Sequence, residues 1–93
     1  MADRYDQVIA ELDGDGRAVL LALTDGEMVY PAGDIADKAA VPLWRTRKIL
    51  RDLRRMGLAQ HAPLFNDGLL CGSGTFLTFL GEKIVRRLDE PNG

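Results

Sequence analysis

No stretch of the chain restricts the fold more than Ile35 to Ala59, IADKAAVPLWRTRKILRDLRRMGLA. Val41-Pro42 divides it, because proline disfavours helical geometry at the residue before it and suits the first turn of a following helix. At about 100° of rotation per residue, Thr46, Ile49, Leu50, Leu53 and Met56 share one face of a helix running from Leu43 to Met56, and they are candidates for burial. Gly57 is placed to end that helix as a C-cap. The opposite face gathers Trp44, Arg47, Lys48, Arg51 and Arg55. One face suits a core, and the other suits solvent or an anionic partner.

The charge distribution sharpens this picture. Formal net charge is -2, so the chain as a whole is not a basic glue for nucleic acid. Residues 35–60 nevertheless hold seven Lys or Arg (Lys38, Arg45, Arg47, Lys48, Arg51, Arg54, Arg55) against Asp37 and Asp52, while residues 1–34 hold eight acids against Arg4 and Arg17. At 93 residues the length suits one domain with a modest core. Cys71 is the only cysteine, so no intrachain disulfide can form, which fits a reducing compartment. No apolar run approaches the ~20 residues of a membrane span, and the start of the chain lacks the apolar core of a signal peptide. A soluble cytoplasmic protein is the expectation.

Flanking segments complete an element order. Tyr5, Val8, Ile9 and Leu12 keep the spacing of one helix face, with Asp3 as a cap. Asp15 is expected to cap a second helix bearing Val19, Leu20 and Leu23 and stopping at Asp25-Gly26. Met28 to Tyr30 suggests a short strand, and Pro31 the first turn of a helix over Ala32 to Ala39. Leu58 to Phe65 reads as a strand made irregular by Pro63. Asn66-Asp67-Gly68 is a turn signal, Gly72-Ser73-Gly74 a second flexible point, and Thr75 to Phe79 the returning strand. Thr78 is placed to cap a last helix with Ile84, Val85 and Leu88, and Pro91-Asn92-Gly93 reads as a loose end.

The stretch from Ile35 to Ala59 resembles the helix-turn-helix of winged-helix transcriptional regulators of the MarR, ArsR and PadR kind. Ile35-Ala36 match the opening aliphatic-Ala pair, Ala40 and Val41 the turn, Pro42 a cap-like position, and Gly57-Leu58-Ala59 the close. Leu77-Thr78-Phe79-Leu80-Gly81 resembles the Leu-Thr-x-x-Gly leading from the wing into the closing helix, and Ala18 to Thr24 the opening core helix. The resemblance implies an α+β, mostly α fold: a winged helix-turn-helix with a small β-hairpin wing and terminal helices, in one domain over 1–93 with its core in 16–88.

It also implies a small prokaryotic or phage transcriptional regulator that binds double-stranded DNA sequence-specifically. The 43–56 helix would enter the major groove, which is wide enough for a helix and lined by phosphates. By position, Leu43, Trp44, Arg47 and Lys48 match groove-facing residues, with Arg47 and Lys48 reading bases. Arg45, Arg51 and Arg55 would hold phosphates. The terminal helices would form a homodimer, setting recognition helices about 34 Å apart. Two features depart from the pattern. Trp44 is bulky for a groove-facing position, and the wing, Asn66 to Gly74, has no Lys or Arg, so it should add little DNA affinity. Trp44 could touch DNA, anchor a protein interface, or sit half-buried against the wing. The acidic N-terminal third, the uncharged wing and Trp44 fit a second reading, a protein-interaction module that does not bind DNA.

Other chemistries find no footing. His61 with Cys71 is too few ligands for a metal site. The glycines form no phosphate loop, the acids keep no calcium-loop spacing, and a single His leaves no nucleophile constellation. No cofactor and no enzymatic activity are expected.

Overall fold

Among the 4–24 and 29–89 segments described by the computed structural model, the chain forms α1 (Arg4–Glu11), α2 (Gly14–Ala22), α3 (Ala32–Ala39), α4 (Leu43–Arg55), β1 (Ala59–Asn66), β2 (Leu69–Leu77) and α5 (Phe79–Asp89). The expected Asp3 cap, the Asp25-Gly26 stop, Met28 and the Pro91-Asn92-Gly93 end lie outside the described residues. The α2 cap differs from expectation. Asp13, with extended backbone, is the N-cap, and its Oδ1 accepts the Gly16 N–H at 2.7 Å. Asp15 sits inside the first turn, where its charge still opposes the positive end of the helix.

Two helix endings fix the turn geometry. Ala40 adopts left-handed backbone (φ 56°) after α3, and the Val41 N–H donates to Ala36 O at 3.1 Å. This tight close swings the chain into α4, which starts at Pro42 with no side-chain cap. Gly57 (φ 80°) then closes α4, with its N–H on Arg54 O at 3.1 Å and the Leu58 N–H on Leu53 O at 2.9 Å. These three bonds satisfy carbonyls that a helix end otherwise leaves open.

β1 and β2 form an antiparallel hairpin that is longer than its sequence suggests. Asp67 (φ 53°) and Gly68 (φ 80°) both have positive φ, as in a two-residue hairpin turn whose twist matches the strands. Pairing therefore resumes at once, and Asn66 faces Leu69. Gly72-Ser73-Gly74, expected as a flexible loop, lies within β2, and the returning strand begins at Leu69 rather than Thr75. The register slips between Pro63 and Phe65, where proline lacks the N–H a regular ladder needs. Of the expected Met28–Tyr30 strand, Tyr30 bridges Thr75 through bonds of 3.0 and 2.9 Å. Gly74 makes that approach possible, since a Cβ there would lie 2.8 Å from Tyr30 O.

The core joins Val19, Leu20 and Leu23 of the α2 segment to Ile35, Leu50, Leu53, Leu58, Leu77, Ile84 and Val85. Each fully buried aliphatic side chain contributes about 1.5–3 kcal/mol of transfer free energy. Met56, expected to bury, is only partly covered because it follows the last turn of α4. Thr46 is buried, with its hydroxyl donating to Val41 O at 3.3 Å. Thr78 locks α5 to the end of α4: its hydroxyl donates to Gly57 O at 2.6 Å and accepts the Gly81 N–H at 3.0 Å. Gly81 presses the first turn of α5 onto Leu58, where a Cβ would overlap the Leu58 carbonyl oxygen. The Leu-Thr-x-x-Gly segment is thus a cap followed by a close approach.

Candidate nucleic-acid interface

The buried stripe of α4, Thr46, Ile49, Leu50 and Leu53, fixes which residues face outward. Arg47, Lys48, Arg51 and Arg55 are exposed, as are Leu43 and Trp44, whose exposures are 40% and 68%. The Trp44 value removes one of its three options, because the indole is not half-buried against the hairpin. Among the described residues, Arg47, Lys48, Arg51, Arg54 and Arg55 make no ion pair with a carboxylate.

The two flanks of this helix differ in charge environment. Towards the hairpin, Arg47, Arg51 and Arg54 line a groove of about 440 Å³ together with His61, Ser73 and Thr75 and the start of α3 at Pro31, Ala32 and Gly33. No carboxylate lines it, and α3 begins there without a side-chain cap. Asp34 in the first turn of α3 opposes the positive end of that helix, so the three arginines supply the charge of the groove. Lys38, also in the basic segment, turns away and stacks over the Tyr30 ring at 3.9 Å. On the other flank, Arg45 and Lys48 border a cavity of about 200 Å³ with Glu11, Asp13 and Asp52.

Arg45 thus departs from its expected place among free phosphate ligands. Its Nε donates to Asp15 Oδ2 at 2.5 Å and its Nη2 to Asp13 Oδ2 at 2.7 Å. The hydrogen bond to Asp15 is the main influence holding the guanidinium above its usual range, with desolvation opposing and the attraction of both carboxylates adding. Arg54 joins the hairpin flank without having been among the expected DNA-facing residues. The signal was present, because Arg47, Arg51 and Arg54 keep the i, i+4, i+7 spacing of one helix stripe.

The hairpin presents a different surface. Asp67 is the only Asp, Glu, Lys or Arg in residues 59–77. Phe65, Leu69 and Leu70 near its tip are 64%, 72% and 66% exposed. His61 sits opposite Thr75, while the exposed Cys71 lies nearer the turn. Among the described residues no group of three His, Cys, Asp or Glu is arranged to hold a metal ion, and no helix is long and apolar enough to cross a membrane.

No protein-family model and no curated protein matches the sequence. Solved structures do match the fold. A candidate DNA-binding protein of Ralstonia eutropha JMP134 shares 25% identity over 85% of this chain and 99% of its own, with a TM-score of 0.68. A MepR variant of S. aureus shares 20% identity over 90% of this chain and 62% of its own, with a TM-score of 0.72. Lactococcus lactis ZitR, solved in complex with DNA, shares 20% identity over 82% of this chain and 49% of its own, with a TM-score of 0.63. The chain spans about half the length of ZitR and nearly all of the Ralstonia protein. Five helices and one antiparallel hairpin in this order are a winged helix-turn-helix.

Proposed function

We propose that the protein is a sequence-specific double-stranded DNA-binding protein, a small cytoplasmic transcriptional regulator of a prokaryote or phage without enzymatic activity. One observation carries the reading: the outward face of α4 bears five cations that form no ion pair with a described carboxylate, and three of them, Arg47, Arg51 and Arg54, line a groove without acids. α4 enters the major groove, where Arg47 and Lys48 meet base edges and Trp44, with Leu43, makes apolar contact. Arg51, Arg54 and Arg55 hold phosphates. The backbone strand runs along the hairpin flank of α4, because the opposite flank carries Glu11, Asp13 and Asp52. The structural likeness to ZitR, which is solved in complex with DNA, supports DNA as the partner. A homodimer through α1 and α5 belongs to the same reading, and the exposed Phe79 on α5 supports it. Residues 1–93 act as one domain, whose core extends beyond the expected 16–88 to Leu12 of the α1–α2 junction. The test is Arg47→Ala with Lys48→Ala, assayed against a panel of duplexes: sequence preference should collapse while weak general binding persists. Unchanged preference sinks the base-reading assignment.

The exposed Phe65, Leu69 and Leu70 favour a second reading, a protein-interaction module docking through the hairpin tip. It predicts a partner lost on Leu69→Ser with Leu70→Ser and no duplex binding even at low salt.

A further inference from the structure

The acidic flank of α4 has a use of its own. Asp13 divides its carboxylate, with Oδ1 capping α2 through Gly16 and Oδ2 receiving Arg45. Asp15 supplies the second carboxylate, on Arg45 Nε. Two oxygens on the Nε and Nη2 side of a guanidinium reproduce the way it grips a phosphate. The partners are 32 and 30 residues away in sequence, so the contact ties the α1–α2 junction to the first turn of α4. That turn starts at Pro42 without a side-chain cap. It also carries Trp44, with Arg47 and Lys48 immediately after, so the direction of Arg45 fixes the rotation of the residues placed at the bases. The Arg45 side chain keeps 32% exposure against 60% and 46% for Asp13 and Asp15, which leaves it reachable by a competing anion.

We propose that Asp13 and Asp15 act as an internal phosphate mimic, making Arg45 a positioning residue that sets the start of α4 while withholding it from the DNA backbone. The proposal rests on the DNA-binding reading and assigns Arg45 a place within it. It accounts for why the cation third in α4 has acids while those on the other flank have none. It also gives the Asp-Gly-Asp-Gly sequence at 13–16 a reason: Gly16 lets the Asp13 carboxylate lie against the helix start, 3.1 Å from where a Cβ would stand.

The test uses the full chain and four forms: unaltered, Asp13→Asn with Asp15→Asn, Arg45→Ala, and all three changes together. Asn keeps the α2 cap while removing charge. Duplex affinity is measured over a salt series. Each phosphate neutralised steepens the slope of log K against log salt by about 0.9. The Asn pair should steepen the slope by about that amount per bound chain. Arg45→Ala alone should leave the slope unchanged and blunt sequence discrimination, and the triple variant should return to the unaltered slope. A shallower slope for Arg45→Ala overturns the proposal, since Arg45 would already be on a phosphate. So does an equal steepening by the Asn pair when Arg45 is absent, which would reflect lost repulsion alone. The Arg Nε–H resonances give a second readout. Adding duplex should shift those of Arg47 and Arg51 and not that of Arg45. In the free protein, the Arg45 Nε–H should exchange with water more slowly than in the Asn pair. If no resonance shifts, the DNA reading fails. If Arg45 exchanges equally in both free forms, the internal pairing fails whatever the DNA result.

Discussion

Gly81→Ala offers a test of the fold in which the sign of the effect is informative. Gly81 lies in the first turn of α5 with ordinary helical backbone, so alanine there should stabilise by up to about 1 kcal/mol through helix propensity and a less flexible unfolded chain. The packing opposes this. A Cβ would overlap the Leu58 carbonyl oxygen and stand 3.0 Å from both the Leu58 carbonyl carbon and Leu77 Cδ2. These atoms belong to backbone and to a buried side chain, so relief requires α5 to move off the core formed with Ile84 and Val85. Overpacking of this kind costs about 1–3 kcal/mol or more, and the upper part of that range applies, because the atom the Cβ would overlap is the Leu58 backbone oxygen. After the propensity gain, a net loss of about 2 kcal/mol remains, which lowers Tm by about 8–16 °C in a domain this small. Urea unfolding should show a lower midpoint at unchanged m. Gly33→Ala is the control: its Cβ would meet nothing within 4 Å, and it should stabilise by about 0.4–1 kcal/mol. A Gly81→Ala protein as stable as the parent, beside a Gly33→Ala protein that behaves as stated, would refute the close approach of α5 to Leu58.

Three further outcomes follow from the same contacts. Thr78→Val removes the α5 cap and the bond to Gly57 O and should cost about 1–2 kcal/mol in urea unfolding, whereas Thr78→Ser should retain most of it. Ala40→Val sets a β-branched side chain at φ 56° and should lose more than about 1 kcal/mol, whereas Ala40→Gly should not destabilise. Leu69→Ser with Leu70→Ser changes exposed residues at the hairpin tip, so unfolding should move by less than about 0.5 kcal/mol per site, and anisotropy should show unchanged DNA affinity.

Local periodicity carried most of what was legible in the sequence. The outward face of α4 could be drawn from residue spacing alone, and Pro42 and Gly57 marked its ends to within a residue. Thr78 announced its cap for the same reason, since both of its bonds stay within the motif or reach the adjoining helix end. The hairpin was harder. Gly72 and Gly74 look like loop residues, yet the two-residue turn at Asp67-Gly68 extends pairing through them, and Gly74 is required by the approach of Tyr30. Asp13 and Asp15, two residues apart, both have the chemistry of an α2 cap, and only the chain path selects Asp13 over the expected Asp15. The pairing of Arg45 with Asp13 and Asp15 was invisible, because its partners lie about 30 residues away, and helix rotation places Arg45 near a border without saying what stands beyond it. Arg54 could have been found by extending the Arg47–Arg51 stripe one more turn.

Contact between the arginines of α4 and DNA phosphates along the hairpin flank can be tested in one assay. The most direct test is fluorescence anisotropy of the purified chain on native upstream and random duplexes across a salt series, with Arg51→Ala plus Arg54→Ala beside the parent. Affinity should fall steeply with salt, favour one sequence, and lose about 0.9 of slope for each phosphate contact removed. Absence of duplex binding at low salt, or a slope unchanged by losing both arginines, would contradict this contact.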